Sequence, residues 1–285
     1  MICDAVRRAL EEDIGPGDVT TEACVPADGQ ANGEFLARED QVIAGVELLE
    51  EIYEARGGVE TLELRKSSGD RAVSGEVIAA VSGNARILLT CERVALNFLQ
   101  RLGGVATLAA RYVEQVAGTG CRVLDTRKTT PGLRRLEKMA AAAGGVTNHR
   151  MGLYDAILIK NNHIAAAGGV RAAIEAVRSR SALPIEIEVR TREELTEALE
   201  AGAPHLLLDN FTPAEAADLV KRIAGRAKVE ISGGVTLENV RAYALTGADF
   251  VSSGAITHSA PSVDVSFRVT LKKNYGPPMN ADGRR

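Results

Sequence analysis

The sequence predicts an α/β protein in two parts: a mixed α+β domain over residues 1–104 and a barrel of parallel strands over 105–267. Two observations lead there. After Gly104, short apolar runs alternate regularly with amphipathic helical stretches, the grammar of βα units; before it, strands and helices come in groups. Polar residues also collect just after the apolar runs, at the strand ends where α/β folds place their ligands.

In the first part AVRRALEED (5–13) reads as a helix ended by Gly15-Pro16-Gly17. GEFLAREDQVIAG (33–45) is strand-like with a turn, VELLEEIYEA (46–55) has the helical period, and VETLELRK (59–66) and EVIAAVSG (76–83) are again strand-like. ARILLTCERVALNFLQRL (85–102) is a long amphipathic helix that Gly103-Gly104 should close.

In the second part the strands are CRVLD (121–125), DAILIK (155–160), IEIEV (185–189), HLLLD (205–209), KVEIS (228–232) and DFVSS (249–253). An Ala-rich helix at 135–143 and helical stretches at 172–180, 192–202, 213–225 and 237–247 lie between them, the last three ending in a glycine suited to a C′ position. Six or so units favour a closed or nearly closed barrel, although eight strands are usual; a doubly wound open sheet is the alternative.

With 285 residues there is room for one large barrel or two ordinary domains. Apolar runs are far short of the ~20 residues that cross a bilayer. No apolar signal segment is visible in residues 1–20, and Cys3, Cys24, Cys91 and Cys121 show no metal or redox spacing. A cytoplasmic protein with reduced thiols is expected. Net acidity, with no aromatics among the basic residues, argues against a nucleic-acid surface.

Residues 121–163 carry eight Lys/Arg against three acids in a chain of formal charge -4. Such a basic island suggests a local anion site. The strand ends add Arg127-Lys128, Lys160, Glu188, Asp209, Ser232-Gly233-Gly234 and Ser253-Gly254, and His149-Arg150 sits in the loop after the Ala-rich helix. The two small turns fit a phosphate, the first before a helix whose expected N-cap is Thr236. Glu188 and Asp209 are either structural partners of the island's cations, or hold a divalent metal or stabilise developing positive charge.

These segments carry a resemblance. DTRKTTPGLR (125–134), NHRMGLYDAILIKNNH (148–163), LLLDNF (206–211), ISGGV (231–235) and SSGAITHS (252–259) resemble the quinolinate phosphoribosyltransferase family, as do EDIGPGDVTT (12–21) and CERVALNFLQRLGGVAT (91–107). The resemblance spans nearly the whole chain, in order, with every charged motif position retained.

It implies an N-terminal α/β sandwich packed on an open α/β barrel, with the C-terminal segment of about 268–285 added to the first domain. It implies a homodimer or larger homo-oligomer with shared sites. The implied reaction joins quinolinate to 5-phosphoribosyl-1-pyrophosphate with Mg²⁺, releasing nicotinate mononucleotide, CO₂ and pyrophosphate in NAD biosynthesis. Carried over by motif, Arg127, His149, Arg150 and Lys160 would meet quinolinate, with Arg93 reaching in from the other subunit. Lys128 would lie between substrate and pyrophosphate; Glu188 and Asp209 would hold metal and ribose or stabilise the cationic transition state. Ser232, Gly233, Gly234, Ser253, Gly254 and His258 would line the 5-phosphate site.

Two other readings compete: another enzyme on this fold, such as a nicotinate phosphoribosyltransferase or the molybdenum-operon paralogue, and a catalytically silent sensor of pyridine carboxylates. The nicotinate enzyme handles one carboxylate and would not need this many cations, and a sensor would not need Glu188 and Asp209; the paralogue stays open on sequence.

Overall fold

The computed structural model describes residues 3–272. It divides into two compact units, the first of residues up to Gly104 together with the segment from Ser262, the second of Val105–Pro261. In the first, α1 (Asp4–Ile14) buries Val6 and Leu10. The short α2 (Val19–Cys24) was not foreseen in the sequence; Asp18 caps it, accepting from Thr21 N at 2.9 Å and from Thr90 Oγ1 at 3.0 Å. There follow β1 (Gln30–Ala37), β2 (Gln41–Val42), α3 (Leu48–Glu54), β3 (Thr61–Leu64), β4 (Arg71–Ala72) and β5 (Val77–Asn84).

The helix expected to stop at Leu102 does not stop. α4 runs unbroken over Ala85–Val116. Gly103 is there for close packing, since a Cβ at that position would lie 2.8 Å from Val263 Cγ2 and 3.2 Å from Gln41 Oε1. Apolar burial continues past the glycines through Val105, Ala106 and Ala109, and outweighs the roughly 1 kcal/mol that each glycine costs a helix.

The second unit alternates as its sequence predicts: β6 (Arg122–Leu124), α5 (Arg134–Ala143), β7 (Ile157–Ile159), α6 (Asn161–Ala167), α7 (Val170–Arg178), β8 (Ile185–Val189), α8 (Arg192–Glu200), β9 (His205–Asp209), α9 (Pro213–Ile223), β10 (Lys228–Ser232), α10 (Val240–Ala244), β11 (Phe250–Ser252) and α11 (Ala255–His258). Gly202, Gly225 and Gly247 follow α8, α9 and α10 at φ of 70°, 75° and 88°, the left-handed conformation expected after a helix.

All six strands are parallel, in the order β6-β11-β10-β9-β8-β7. From β7 to β11 neighbours are consecutive, and β11 returns to pair with β6. That cyclic order belongs to a barrel, because a doubly wound sheet reverses direction at a switch point. The barrel stays open between β6 and β7, where Thr147 adds only a single bridge to Leu124.

Strand alternation then fixes the chemistry. In β8, Ile185, Ile187 and Val189 face one way, which turns Glu186 and Glu188 together to the other face. Register places Glu186 beside His205, both Glu188 and Glu230 beside Leu207, and Ser232 beside Asp209. One face of three adjacent strands is therefore studded with polar groups rising toward the C-terminal ends.

After α11 the chain returns to the first unit. β12 (Val265–Leu271) pairs antiparallel with β1 in a sheet of order β12-β1-β5-β3. Gly33 makes room there for Phe267, whose Cζ would be 2.2 Å from any Cβ at residue 33. The part of the C-terminal segment beyond residue 272 lies outside the described residues. Among those described, no helix is long and apolar enough to cross a membrane.

Candidate active site

A cavity of about 810 Å³ opens at the C-terminal ends of the parallel strands. Of the residues singled out in the sequence, Arg127, Lys128, His149, Arg150, Lys160, Glu188, Asp209, Ser232, Gly233, Gly234, Ser253, Gly254 and His258 all line it. Arg93 does not; it is exposed on α4 in the first unit.

The cationic wall is built from behind. Asp125, at the end of β6, is fully buried; its Oδ1 takes the ammonium of the equally buried Lys138 and the His149 amide at 2.8 Å. Its Oδ2 accepts from Asn148 Nδ2 at 2.6 Å, and Lys138 Nζ also donates to His149 O at 2.8 Å. The Asp-Thr-Arg-Lys and Asn-His-Arg segments are thus tied to each other by groups outside the cavity. Arg134 secures the first of them, donating to Thr129 Oγ1 at 3.1 Å and to Arg127 O at 3.4 Å. Beyond Arg150, Asp155 closes the next turn by accepting from Met151 N and Gly152 N at 2.6 and 2.9 Å.

The cations so presented are short of partners. Arg127 Nε is buried without a hydrogen bond. Burial, and next the charge of Arg127, lower the pKa of Arg150, so the two guanidinium groups repel each other; Arg150 Nη1 donates only to Ala156 O, at 3.3 Å, among the described residues. An anion between them would relieve both. Lys160 is turned by its own backbone, whose amide donates to His163 Nδ1 at 2.9 Å at the start of α6.

Opposite stand Glu188 and Asp209. Burial, then the charge of Asp209, raises the Glu188 pKa, while Lys160 and Arg190 oppose this. Asp209 Oδ2 accepts from Asn210 Nδ2 at 2.8 Å. Among the described residues neither carboxylate makes an ion pair with a Lys or Arg, which disfavours the structural-pair reading. Two neighbouring carboxylates with oxygen atoms to spare are a donor set that fits a hard divalent cation.

The glycine turns take a different form from the expected one. Gly233 and Gly234 have φ of 89° and 63°, and a Cβ on Gly233 would strike Asn210 Oδ1 at 2.3 Å. Thr236 is not the N-cap of the next helix, which starts only at Val240 behind Asn239. Asn239 folds back instead, accepting from Thr236 N at 2.8 Å and donating to Gly234 O at 2.9 Å. A loop, Ser232 to Thr236, rather than a helix terminus, lines the cavity there. Ser253 lines it through its backbone, because its hydroxyl donates inward to Val235 O at 2.8 Å. Gly254 leaves the space that Lys128 and His258 use: its Cβ would lie 2.8 Å from Lys128 Cδ and 3.0 Å from His258 Nε2.

Thr126, Asn161 and Asn210, which the sequence places at the same strand ends, also line the cavity, and so does Glu230, which the sequence reading did not single out. With Glu186, Glu230 converges on His149. The signal was present: IEIEV sets two acids and KVEIS one between the apolar residues of strands otherwise read as apolar. His149 itself has both ring nitrogens engaged, Nδ1 accepting from Arg150 N at 2.7 Å and Nε2 lying 3.0 Å from Glu186 Oε2.

Known proteins resemble the chain over most of its length. Residues 105–268 match the family described as quinolinate phosphoribosyl transferase, C-terminal domain, and residues 18–103 match the N-terminal domain of the same family. The chain belongs to the quinolinate phosphoribosyl transferase family. It is 42% identical to the probable nicotinate-nucleotide pyrophosphorylase (carboxylating) of Bacillus subtilis over 262 residues, covering 91% of this chain and 90% of that one. It is 43% identical to the nicotinate-nucleotide pyrophosphorylase (carboxylating) of Mycobacterium leprae, covering 93% and 95%. The crystal structure of NadC from Streptococcus pyogenes superposes with a TM-score of 0.90 at 39% identity, covering 95% of this chain and 96% of that one.

Proposed function

We propose that the chain is a pentosyltransferase that joins quinolinate to 5-phosphoribosyl-1-pyrophosphate, releasing nicotinate mononucleotide, CO₂ and pyrophosphate in NAD biosynthesis. The observation that carries this is the meeting, in one cavity, of two mutually repelling cations (Arg127, Arg150) with two carboxylates (Glu188, Asp209) that make no ion pair with a Lys or Arg among the described residues. Quinolinate is a dianion, and its two carboxylates answer the strain between the guanidinium groups. A ligand with one carboxylate would leave part of this wall unneutralised.

Arg127, Arg150 and Lys160 bind and orient the ring, with His149 as the wall beside them. Both His149 nitrogens are already engaged, so its part is to hold the Arg150 amide in place. Lys128, lying over Gly254, meets the pyrophosphate side, and the loops of Ser232, Gly233, Gly234, Ser253, Gly254 and His258 receive the 5-phosphate. As the pyridine nitrogen attacks ribose C1, the sugar gains oxocarbenium character, and Glu188 and Asp209 are fixed negative charges ready to stabilise it. Loss of the carboxylate next to the ring nitrogen leaves an electron pair on carbon beside a cationic nitrogen, a charge that Lys and Arg side chains favour.

Mg²⁺ would be held by Glu188 and Asp209 together with the substrate's phosphates, and would neutralise charge on the departing pyrophosphate. Arg93 is proposed to serve the site of a second subunit in a homodimer. The four free cysteines are consistent with a cytoplasmic setting. The test is product identification by mass spectrometry. Quinolinate plus 5-phosphoribosyl-1-pyrophosphate and Mg²⁺ should give nicotinate mononucleotide; if nicotinate is used and quinolinate is not, the reading is wrong.

A further inference from the structure

Beneath the cations, Glu186 of β8 and Glu230 of β10 converge on one imidazole nitrogen. His149 Nε2 lies 3.0 Å from Glu186 Oε2 and 3.5 Å from Glu230 Oε2. The two carboxyl groups are deeply buried, their residues 5% and 1% exposed. Two more groups face them: His205 of β9, whose Nε2 is 3.4 Å from Glu186 Oε1, and Ser252 of β11 beside Glu230. Among the described residues, Glu186 Oε1, Glu230 Oε2 and His205 Nε2 are without hydrogen-bond partners, and the two acids lie within hydrogen-bonding reach of each other.

The charges here do not balance if both acids are ionised. His149 Nδ1 accepts a backbone N–H, so it holds no proton and the ring is a neutral Nε2–H donor. The carboxylates pull its pKa up to about 10 against burial, which would make it a cation, but a second ring proton would have to evict the Arg150 amide from Nδ1, and the 2.7 Å hydrogen bond there decides for the neutral ring. Burial lowers the pKa of His205, leaving it neutral as well. Two adjacent buried carboxylates would then face no cation, and like charges this close do not both ionise.

We propose that Glu230 is a neutral carboxylic acid that donates its proton to Glu186, and that this acid positions His149 and Arg150 and keeps a second negative charge out from under a dianionic substrate. One proton then joins two buried acids that would otherwise repel each other. Glu186, the ionised member, accepts from His149 and from Glu230; His149 in turn accepts the Arg150 amide. The chain of hydrogen bonds runs from the barrel interior to a substrate-binding arginine. Burial drives the Glu230 carboxyl up to about 7, helped by the charge of Glu186 and opposed by His149 and Ser252. Its electrostatic half rests on the substrate reading above.

The test compares the whole enzyme with Glu230→Gln, which keeps the shape and a donor. Infrared difference spectra of parent against variant should show a protonated-carboxyl band at pH 6 that fades as pH rises through about 7. Glutamate isotope labelling shifts that band in the parent alone, so the measurement survives even if the variant folds poorly. Quinolinate affinity, by titration calorimetry, should fall by up to about tenfold per pH unit above the ionisation in the parent and stay flat in the variant. Stability follows the same sign: the parent should lose thermal stability relative to Glu230→Gln as pH rises from about 4.5 through about 7, because the folded acid binds its proton more tightly. A band missing at pH 6, or parallel binding curves for the two proteins, would overturn the proposal. So would a tightly held stoichiometric divalent ion that the variant lacks. The infrared arm needs no substrate, so a parent that shows the band but never binds quinolinate would refute the substrate reading and the role given to the acid, not the acid's proton.

Discussion

Lys138 Nζ donates to the carbonyl oxygen of His149 at 2.8 Å, from a residue with no solvent exposure. The same ammonium pairs with Asp125, which also holds the His149 amide. Lys138 never reaches the cavity, yet it fixes the backbone that presents His149 and Arg150. Lys138→Met would strand a buried Asp125 and should cost about 3–5 kcal/mol of stability, read from denaturant unfolding. At a temperature where the variant is folded, its KM for quinolinate should rise more than its KM for 5-phosphoribosyl-1-pyrophosphate.

Arg150→Ala and Arg127→Ala remove charges that face the cavity instead. Each should weaken quinolinate by about 2–5 kcal/mol, the scale for truncating one member of a buried charge pair. Titration calorimetry with each ligand separately checks this. Equal losses for both substrates would contradict the assignment of these residues to quinolinate.

These two predictions separate what was legible in the sequence from what was not. The barrel could be read because apolar strands alternate regularly with helical stretches after β6, three of them closed by a glycine. The lining cations and carboxylates were legible because a charge at the end of a buried strand needs a reason. The long helix through Gly103-Gly104 was misread because Gly103 serves a close contact with Val263, a residue far away in sequence. Glu186 and Glu230 were passed over for a similar reason: an acid inside an apolar strand looks incidental until register sets it beside His149. Lys138, read as one more charge in a basic island, proved to be a buried anchor.

Glu188→Gln should leave thermal stability near that of the parent, since no Lys or Arg is paired with Glu188 among the described residues. Product formation should slow by roughly 10²–10³-fold, the scale for removing one preorganised electrostatic group. Differential scanning calorimetry alongside the rate decides it. A variant that melts many degrees earlier would mean the carboxylate belongs to the fold.

The shared-site proposal for Arg93 has its own experiment. Arg93→Ala and Arg150→Ala chains, each inactive alone, are mixed and allowed to exchange subunits. If Arg93 serves the neighbouring subunit, each mixed dimer contains one intact site and should recover about half the activity of a parent dimer. If Arg93 acts within its own chain, every site keeps a defect and no activity returns.

The central claim is most directly tested with quinolinate isotopically labelled in the carboxylate next to the ring nitrogen. Incubated with the enzyme and Mg²⁺, the label should stay in quinolinate until 5-phosphoribosyl-1-pyrophosphate is added. It should then leave as CO₂, one per nicotinate mononucleotide formed. Label release without the phosphoribosyl donor, or a nucleotide product that retains the label, would contradict the account.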